Sequence, residues 1–354
     1  MTFALEYVIA GVIVVAMVVY LLSGGADFGG GIWDMLAFGP RKKAQRRALS
    51  DAIAPIWEAN HVWLIVVVVL LFVCFPRAFS TMMIALHIPL TLMLIGIVLR
   101  GSAFAFQSYS AGATRLQRRS GVVFAAASFF TPFMLGISAG AIAAGEIHWL
   151  GPGRVETDYI SEWLAPFPFV IGAFTLAICA FISAVYMTVE VDDADLKDDF
   201  RIRALWTAVA VGACAFAAIV LARDDAPLIW DQLVTSTWAI PFQAATGIAA
   251  VTAIWALFKR RYRLARLAAM AQVGLIVVGW GFGQFPYLVY PDITIANSAA
   301  PEEVLLPVTV ALGIGMVILI PSFWYLYRVF KVQRGEDTDR GGFSPPTESS
   351  ATGE

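Results

Sequence analysis

The chain has 354 residues, 59% of them hydrophobic and only 14% charged, and its mean hydropathy is +0.76. Such a composition excludes an ordinary soluble domain and defines an integral membrane protein. The net charge of −2 and pI near 6.0 give no footing for nucleic acid, because the basic residues sit in juxtamembrane clusters that anionic headgroups account for.

Nine apolar runs are read along the chain, with approximate limits 7–22, 56–75, 82–104, 121–143, 165–188, 205–221, 238–258, 268–290 and 304–327. They are continuous rather than alternating, which favours helices over a transmembrane barrel. An all-α fold with nine transmembrane helices is therefore expected. The opening Met1-Thr2-Phe3-Ala4-Leu5-Glu6 lacks the positive region of a signal peptide, so the first run is expected to be retained as a helix.

Gly24-Gly25-Ala26-Asp27-Phe28-Gly29-Gly30-Gly31 follows that run. Its glycines allow a turn or unwound stretch lining a polar cavity. The run lacks the Gly-Lys-Ser/Thr ending of a phosphate loop and follows no strand, so no nucleotide fingerprint applies. Asp27 reads equally well as a proton-path carboxylate or as a cap for the next helical stretch.

At the mouth of the second run stands Pro55-Ile56-Trp57-Glu58-Ala59-Asn60-His61-Val62-Trp63-Leu64. Pro55 suits a first helical turn, which predicts a helix starting there. Helical spacing puts Trp57, Asn60, His61 and Leu64 on one face, with Glu58 three residues before His61 and within its reach. A carboxylate just inside the membrane, flanked by imidazole and amide, can pass protons inward from the cytoplasm. A belt of interfacial Trp and polar anchors is the other reading.

Arg100 ends the third run at a depth that Glu58 shares, so an ion pair inside the bundle and snorkelling to the headgroups both stand open. His61, His87 and His148 lie at three different depths, a poor set for haem, whose iron needs an axial ligand. Cys74, Cys179 and Cys214 each fall within an apolar run at unrelated spacing, suggesting neither a disulfide framework nor a zinc site. The eighth run ends in Phe285-Pro286-Tyr287-Leu288-Val289-Tyr290-Pro291. An aromatic belt explains most of this stretch, with a lipid or quinone tail lying against it as a second reading.

The longest outer connections, 145–163, 223–237 and 291–303, are too short to hold a core. Residues 1–333 thus form a single membrane domain, and the Gly-, Pro- and Ser-rich tail, 334–354, is expected to be disordered. Pairs such as Gly25 and Gly29, Gly136 and Gly140, and Gly279 and Gly283 allow close helix approach. With nine spans, all of the 24 Lys and Arg residues except Arg77, Arg100, Arg154 and Arg223 fall on one side. Cytoplasmic loops collect such residues, which places the N-terminus outside and the C-terminus in the cytoplasm.

The glycine turn at 25–29, the basic stretch after it, the segment from Pro55 to Leu64 and the stretch from Phe285 to Asn297 together resemble subunit II of the cytochrome bd-type ubiquinol oxidases. The resemblance runs through nearly the whole chain. It implies two helix bundles plus a peripheral helix, in the bacterial cytoplasmic membrane, paired as a pseudo-symmetric heterodimer with subunit I. Quinol and O2 are the substrates of the complex. Haem b and haem d are implied in subunit I, with no cofactor or metal bound by this chain alone, and a small single-helix subunit belongs to some such assemblies. Glu58 stands where relatives carry an acidic residue implicated in a proton path. Asp27 joins it as a proton-path candidate, and Trp57, Asn60, His61 and Arg100 form a supporting polar cluster. No catalytic residue of oxygen chemistry is implied in this chain. A secondary transporter with a membrane-embedded carboxylate is the alternative, weakened by the lack of an evident inverted repeat or of a charge near the midplane.

Overall fold

A computed structural model describes residues 4–53, 57–109 and 114–339, with side chains described within these ranges except at 53–58, 107–118 and 326–339. Two compact units make up the chain, Met1–Val304 and Leu305–Glu354. The elements of the first are, in order, α1 (Leu5–Met35), α2 (Lys42–Ile53), α3 (Trp57–Cys74), α4 (Pro76–Ala85), α5 (His87–Tyr109), α6 (Thr114–Ala144), a hairpin of β1 (His148–Gly151) and β2 (Arg154–Glu156), α7 (Pro166–Glu190), α8 (Ala194–Asp225), α9 (Pro227–Trp230), a π-helical turn (Asp231–Thr235), α10 (Ala239–Phe258), α11 (Tyr262–Gln284), a second small hairpin of β3 (Tyr287–Val289) and β4 (Ile293–Thr294), and α12 (Ile295–Ser298). The long α13 (Glu302–Asp339) begins at the end of this unit and makes up most of the described part of the second. It carries Glu302 and Glu303 in its first turn, where carboxylates complement the helix dipole. The tail expected to be disordered from 334 is helical as far as Asp339, and residues 340–354 lie outside the described residues.

Among the described residues, eight helices are long and apolar enough to cross a membrane. The α3–α4 pair passes the same test only when taken together, and it is bent by 113°. The sequence reads 56–75 as a plain span. The break follows from Pro76, which has no N–H to continue α3 and instead takes the first position of α4.

α1 departs from expectation at the glycine run. It stays helical from Leu5 to Met35, through Gly24 to Gly31, where the glycines also allow a turn or unwound stretch. A glycine inside a helix costs about 1 kcal/mol relative to alanine. Here backbone packing offsets that cost. A Cβ on Gly29 would lie 2.0 Å from the Cys179 carbonyl oxygen and 2.5 Å from Ser183 Cβ, so α1 and α7 meet backbone to backbone at this point. The same contact is sealed one turn on by Trp33, whose Nε1 donates to the Ala180 carbonyl at 2.8 Å. Gly136 plays the equivalent part between α6 and α7, where a Cβ would stand 2.7 Å from the Ile171 carbonyl. The glycine spacings read from the sequence are thus sites of close helix approach.

Around these contacts α7 packs against α1, α6 and α8, and α10 packs on α11. Phe28, Ile32, Trp33, Phe181, Val185 and Phe200 fill the centre of the largest buried cluster. Polar groups collect at the two ends of the bundle. At the C-terminal end of α1, Arg41 grips Asp199 through Nε at 2.9 Å and Nη2 at 2.6 Å, and Gln45 donates to the same carboxylate at 2.8 Å. Arg203 donates to Gln45 Oε1 at 2.8 Å, which ties α2 to α8. At the other end Asp292 accepts from the Trp149 amide at 2.9 Å and pairs with His148 at 3.4 Å. Arg77 lies 4.7 Å over the Trp149 ring, and the His87 ring meets Tyr159 at 5.1 Å.

Candidate functional site

Four helices bring a small set of polar side chains into the interior. On α1, Tyr20 and Asp27 are seven residues apart and so share one face. Asp27 is 4% exposed, Asn60 of α3 0% and Arg100 of α5 1%. Asn60 Nδ2 donates to Asp27 Oδ2, and the Arg100 guanidinium acts electrostatically on the same carboxylate. One helical turn of α3 therefore delivers an amide to a carboxylate that α1 holds among glycines, with a cation from α5 beside them.

Arg100 lies deep in the bundle, not at the headgroups. Its Nε donates to Ser128 Oγ of α6 at 3.1 Å, and its guanidinium lies 4.8 Å from the Phe28 ring centre and 5.0 Å from that of Phe124. Two aromatic faces thus replace part of its hydration. A snorkelling side chain would keep its charged head exposed, whereas Arg100 is 1% exposed. Ser128 Oγ donates in turn to the Phe124 carbonyl at 2.7 Å. Among the described residues, buried Arg100 Nη2 has no hydrogen-bond partner and Arg100 makes no ion pair within 4 Å. The interaction with Asp27 is therefore through space rather than a direct salt bridge.

His61 faces the same interior. Its Nδ1 stands 3.5 Å from the Tyr20 hydroxyl, and its ring meets Phe28 edge to face at 5.8 Å. Asp27, Asn60, His61 and Arg100, separated by up to 73 positions in the chain, are thus brought together. Trp57 and Glu58 open α3, but their side chains, like Pro55 as a whole, lie outside the described residues. Tyr20, Phe28, Phe124 and Ser128 complete the cluster without having been singled out from the sequence. Tyr20 carried a signal, its seven-residue spacing from Asp27; Ser128 carried none, being one hydroxyl in an apolar run.

The other two histidines are elsewhere and engaged, His87 Nδ1 with the Ile84 carbonyl at 3.0 Å and His148 with Asp292. Among the described residues no three His, Cys, Asp or Glu side chains converge as a metal site would need. Where the eighth run ends, Trp238, Pro241, Phe242, Phe282 and Phe285 line an apolar recess of about 610 Å³ with Gln232 at its edge.

Long apolar helices packed through glycine contacts around a buried carboxylate and guanidinium define a multi-pass membrane protein with an ionisable interior. The profile of the cytochrome bd terminal oxidase subunit II family matches residues 5–330. The chain belongs to that family, which makes it a component of a respiratory oxidase of the bacterial cytoplasmic membrane. It is 25% identical over 334 residues to the cytochrome bd ubiquinol oxidase subunit 2 of Bacillus subtilis (strain 168), covering 90% of this chain and 94% of that one. With the cytochrome bd-I ubiquinol oxidase subunit 2 of Escherichia coli (strain K12) it shares 24% identity over 180 residues, 49% of this chain and 45% of the other. Its fold is similar to a chain in the structure of bd oxidase from Geobacillus thermodenitrificans, with a TM-score of 0.78 at 24% identity, over 93% of this chain and 99% of that chain.

Proposed function

We propose that this chain is the haem-free subunit of a quinol:oxygen oxidoreductase that reduces O2 to water, holding a haem-bearing subunit I and contributing a cytoplasmic proton path through Glu58 and Asp27. The observation that carries the reading is the burial of Asp27 and Arg100 in one bundle. Opposite charges far from water are expensive, and inside a membrane they are by default functional. Reduction of O2 to water takes up one proton for each electron. A path from the cytoplasm supplies such protons, and quinol oxidation supplies the electrons.

In this scheme Glu58, at the start of α3, receives the proton. Asn60 fixes the orientation of the Asp27 carboxylate, Arg100 balances its charge, and Tyr20 and His61 offer a hydroxyl and an imidazole to continue the relay. Haem b and haem d belong to subunit I. What supports this reading is that His61, His87 and His148 lie apart, His87 against the Ile84 carbonyl and His148 against Asp292. The nine-span reading takes α3 and α4 as one span, in two bundles with a peripheral helix. It puts the N-terminus outside and the C-terminus in the cytoplasm, as the Lys and Arg asymmetry supports. The aromatic recess at Trp238 and Phe282 suits a quinone or lipid tail. A small single-helix subunit completes the assembly where one is present.

Glu58→Gln in the assembled complex is expected to slow O2 reduction by about tenfold or more, with haem content and spectrum unchanged, while Glu58→Asp retains most of the rate. Unchanged turnover in the Gln variant would remove Glu58 from the path.

A further inference from the structure

At the ion-paired end of the bundle, the C-terminus of α1, helix α2 and the facing ends of α5 and α6 enclose a cavity of about 580 Å³. Two chemistries meet in its walls. Lys42, Arg46, Arg47 and Ser50 come from α2, with Lys42, Arg46 and Ser50 at four-residue intervals on one helical face. Phe104 of α5 and Val122 of α6 supply an apolar wall opposite. Val122 is 66% exposed, so this wall runs out onto an open apolar surface.

The cations are not equally committed. Arg46 is occupied, donating through Nε and Nη2 to the Asp34 carbonyl at 3.1 Å and lying 3.4 Å from its carboxylate. Among the described residues Arg47 pairs with Asp51 on its own helix, at 3.9 Å, and its side chain is 86% exposed. Lys42 makes no ion pair among the described residues. Among the described residues of the lining Asp34 is the one carboxylate, against Lys42, Arg46 and Arg47, an excess of positive charge.

We propose that this cavity binds an anionic phospholipid, with the headgroup phosphate held by Lys42, Arg47 and Ser50 and an acyl chain laid along Val122 and Phe104. A basic pocket between helices beside an open apolar wall matches both halves of such a molecule. A soluble phosphate would satisfy the cations and leave the wall bare. The proposal rests on the membrane placement of the chain and is independent of the proton path.

The test uses the complete oxidase complex, delipidated in mild detergent and examined by native mass spectrometry. Phosphatidylglycerol, phosphatidylcholine or inorganic phosphate is added in separate titrations. Wild type is expected to retain one phosphatidylglycerol that the Lys42→Gln/Arg47→Gln variant binds about tenfold more weakly or worse. Val122→Trp, which blocks the chain path and leaves the charges, should weaken the same adduct, and Arg154→Gln at the opposite end should not. Equal retention of phosphatidylglycerol by the wild type and the double variant would overturn the proposal. So would equal retention of phosphatidylcholine, or displacement by millimolar phosphate, which would identify a free-anion site. Unchanged haem spectra across the variants establish that each is folded.

Discussion

Gly29→Ala destabilises the chain by about 3 kcal/mol or more and prevents assembly of the complex. Overpacking usually costs about 1–3 kcal/mol because side chains can shift, but here the added methyl would lie 2.0 Å from a carbonyl oxygen of α7, and a helix backbone has no rotamer to change. Relief requires α1 and α7 to part. That separation also pulls Trp33 from the Ala180 carbonyl and loosens the largest core cluster, of which Trp33, Phe181 and Val185 are members. Gly212→Ala is the control, since nothing lies within 4 Å of its added Cβ; alanine's helix propensity makes it neutral or slightly stabilising. Thermal unfolding of the two variants in detergent compares them. Equal midpoints would show that the α1–α7 contact is not as tight as described.

The second large effect concerns Arg100. Arg100→Met leaves the Asp27 carboxylate buried without a nearby cation, and the cost is expected to fall below the about 3–5 kcal/mol typical of breaking a direct buried ion pair. Asp27→Asn alone leaves the guanidinium stranded between Phe28 and Phe124. The double variant Asp27→Asn/Arg100→Met removes both charges and is expected to be more stable than Arg100→Met, a coupling that a double-mutant cycle measures directly. If the two substitutions add without coupling, the through-space interaction between these residues is negligible. The folded double variant also tests function, because a complex with normal haem content and slow oxygen reduction separates a proton-path role from a structural one.

Much of this architecture is legible in the sequence, since in a bilayer the backbone must satisfy its own hydrogen bonds and long apolar runs have few alternatives to helix. The approach of α6 to α7 is foreshadowed by Gly136 and Gly140, and the polar face of α3 by the spacing of Asn60 and His61. What escapes is direction and depth. Hydropathy sums composition over a window, so the 113° bend between α3 and α4 leaves no mark beyond a proline that also suits a straight helix start. The helical course of α1 through its glycines depends on α7 lying against it, a partner 150 positions away at Cys179. Arg100 reads as a helix-end cation because the apolar run stops at 104, whereas the helix continues to Tyr109 and carries the charge inward. Tyr20 and Ser128 join the site only through the crossing of helices that no local pattern encodes.

We propose above that this chain works without haem of its own inside a haem-bearing oxidase. The most direct test of that proposal is a dithionite-reduced minus oxidised absorption spectrum, recorded on the tagged chain purified from its native membrane in mild detergent and on the same chain expressed alone. Haem b and haem d bands with one larger co-purifying partner are expected in the first sample, and no haem in the second. No haem and no partner from the native membrane would contradict the proposal and favour a transporter, and haem bound by the chain alone would contradict the assignment of the cofactors to subunit I.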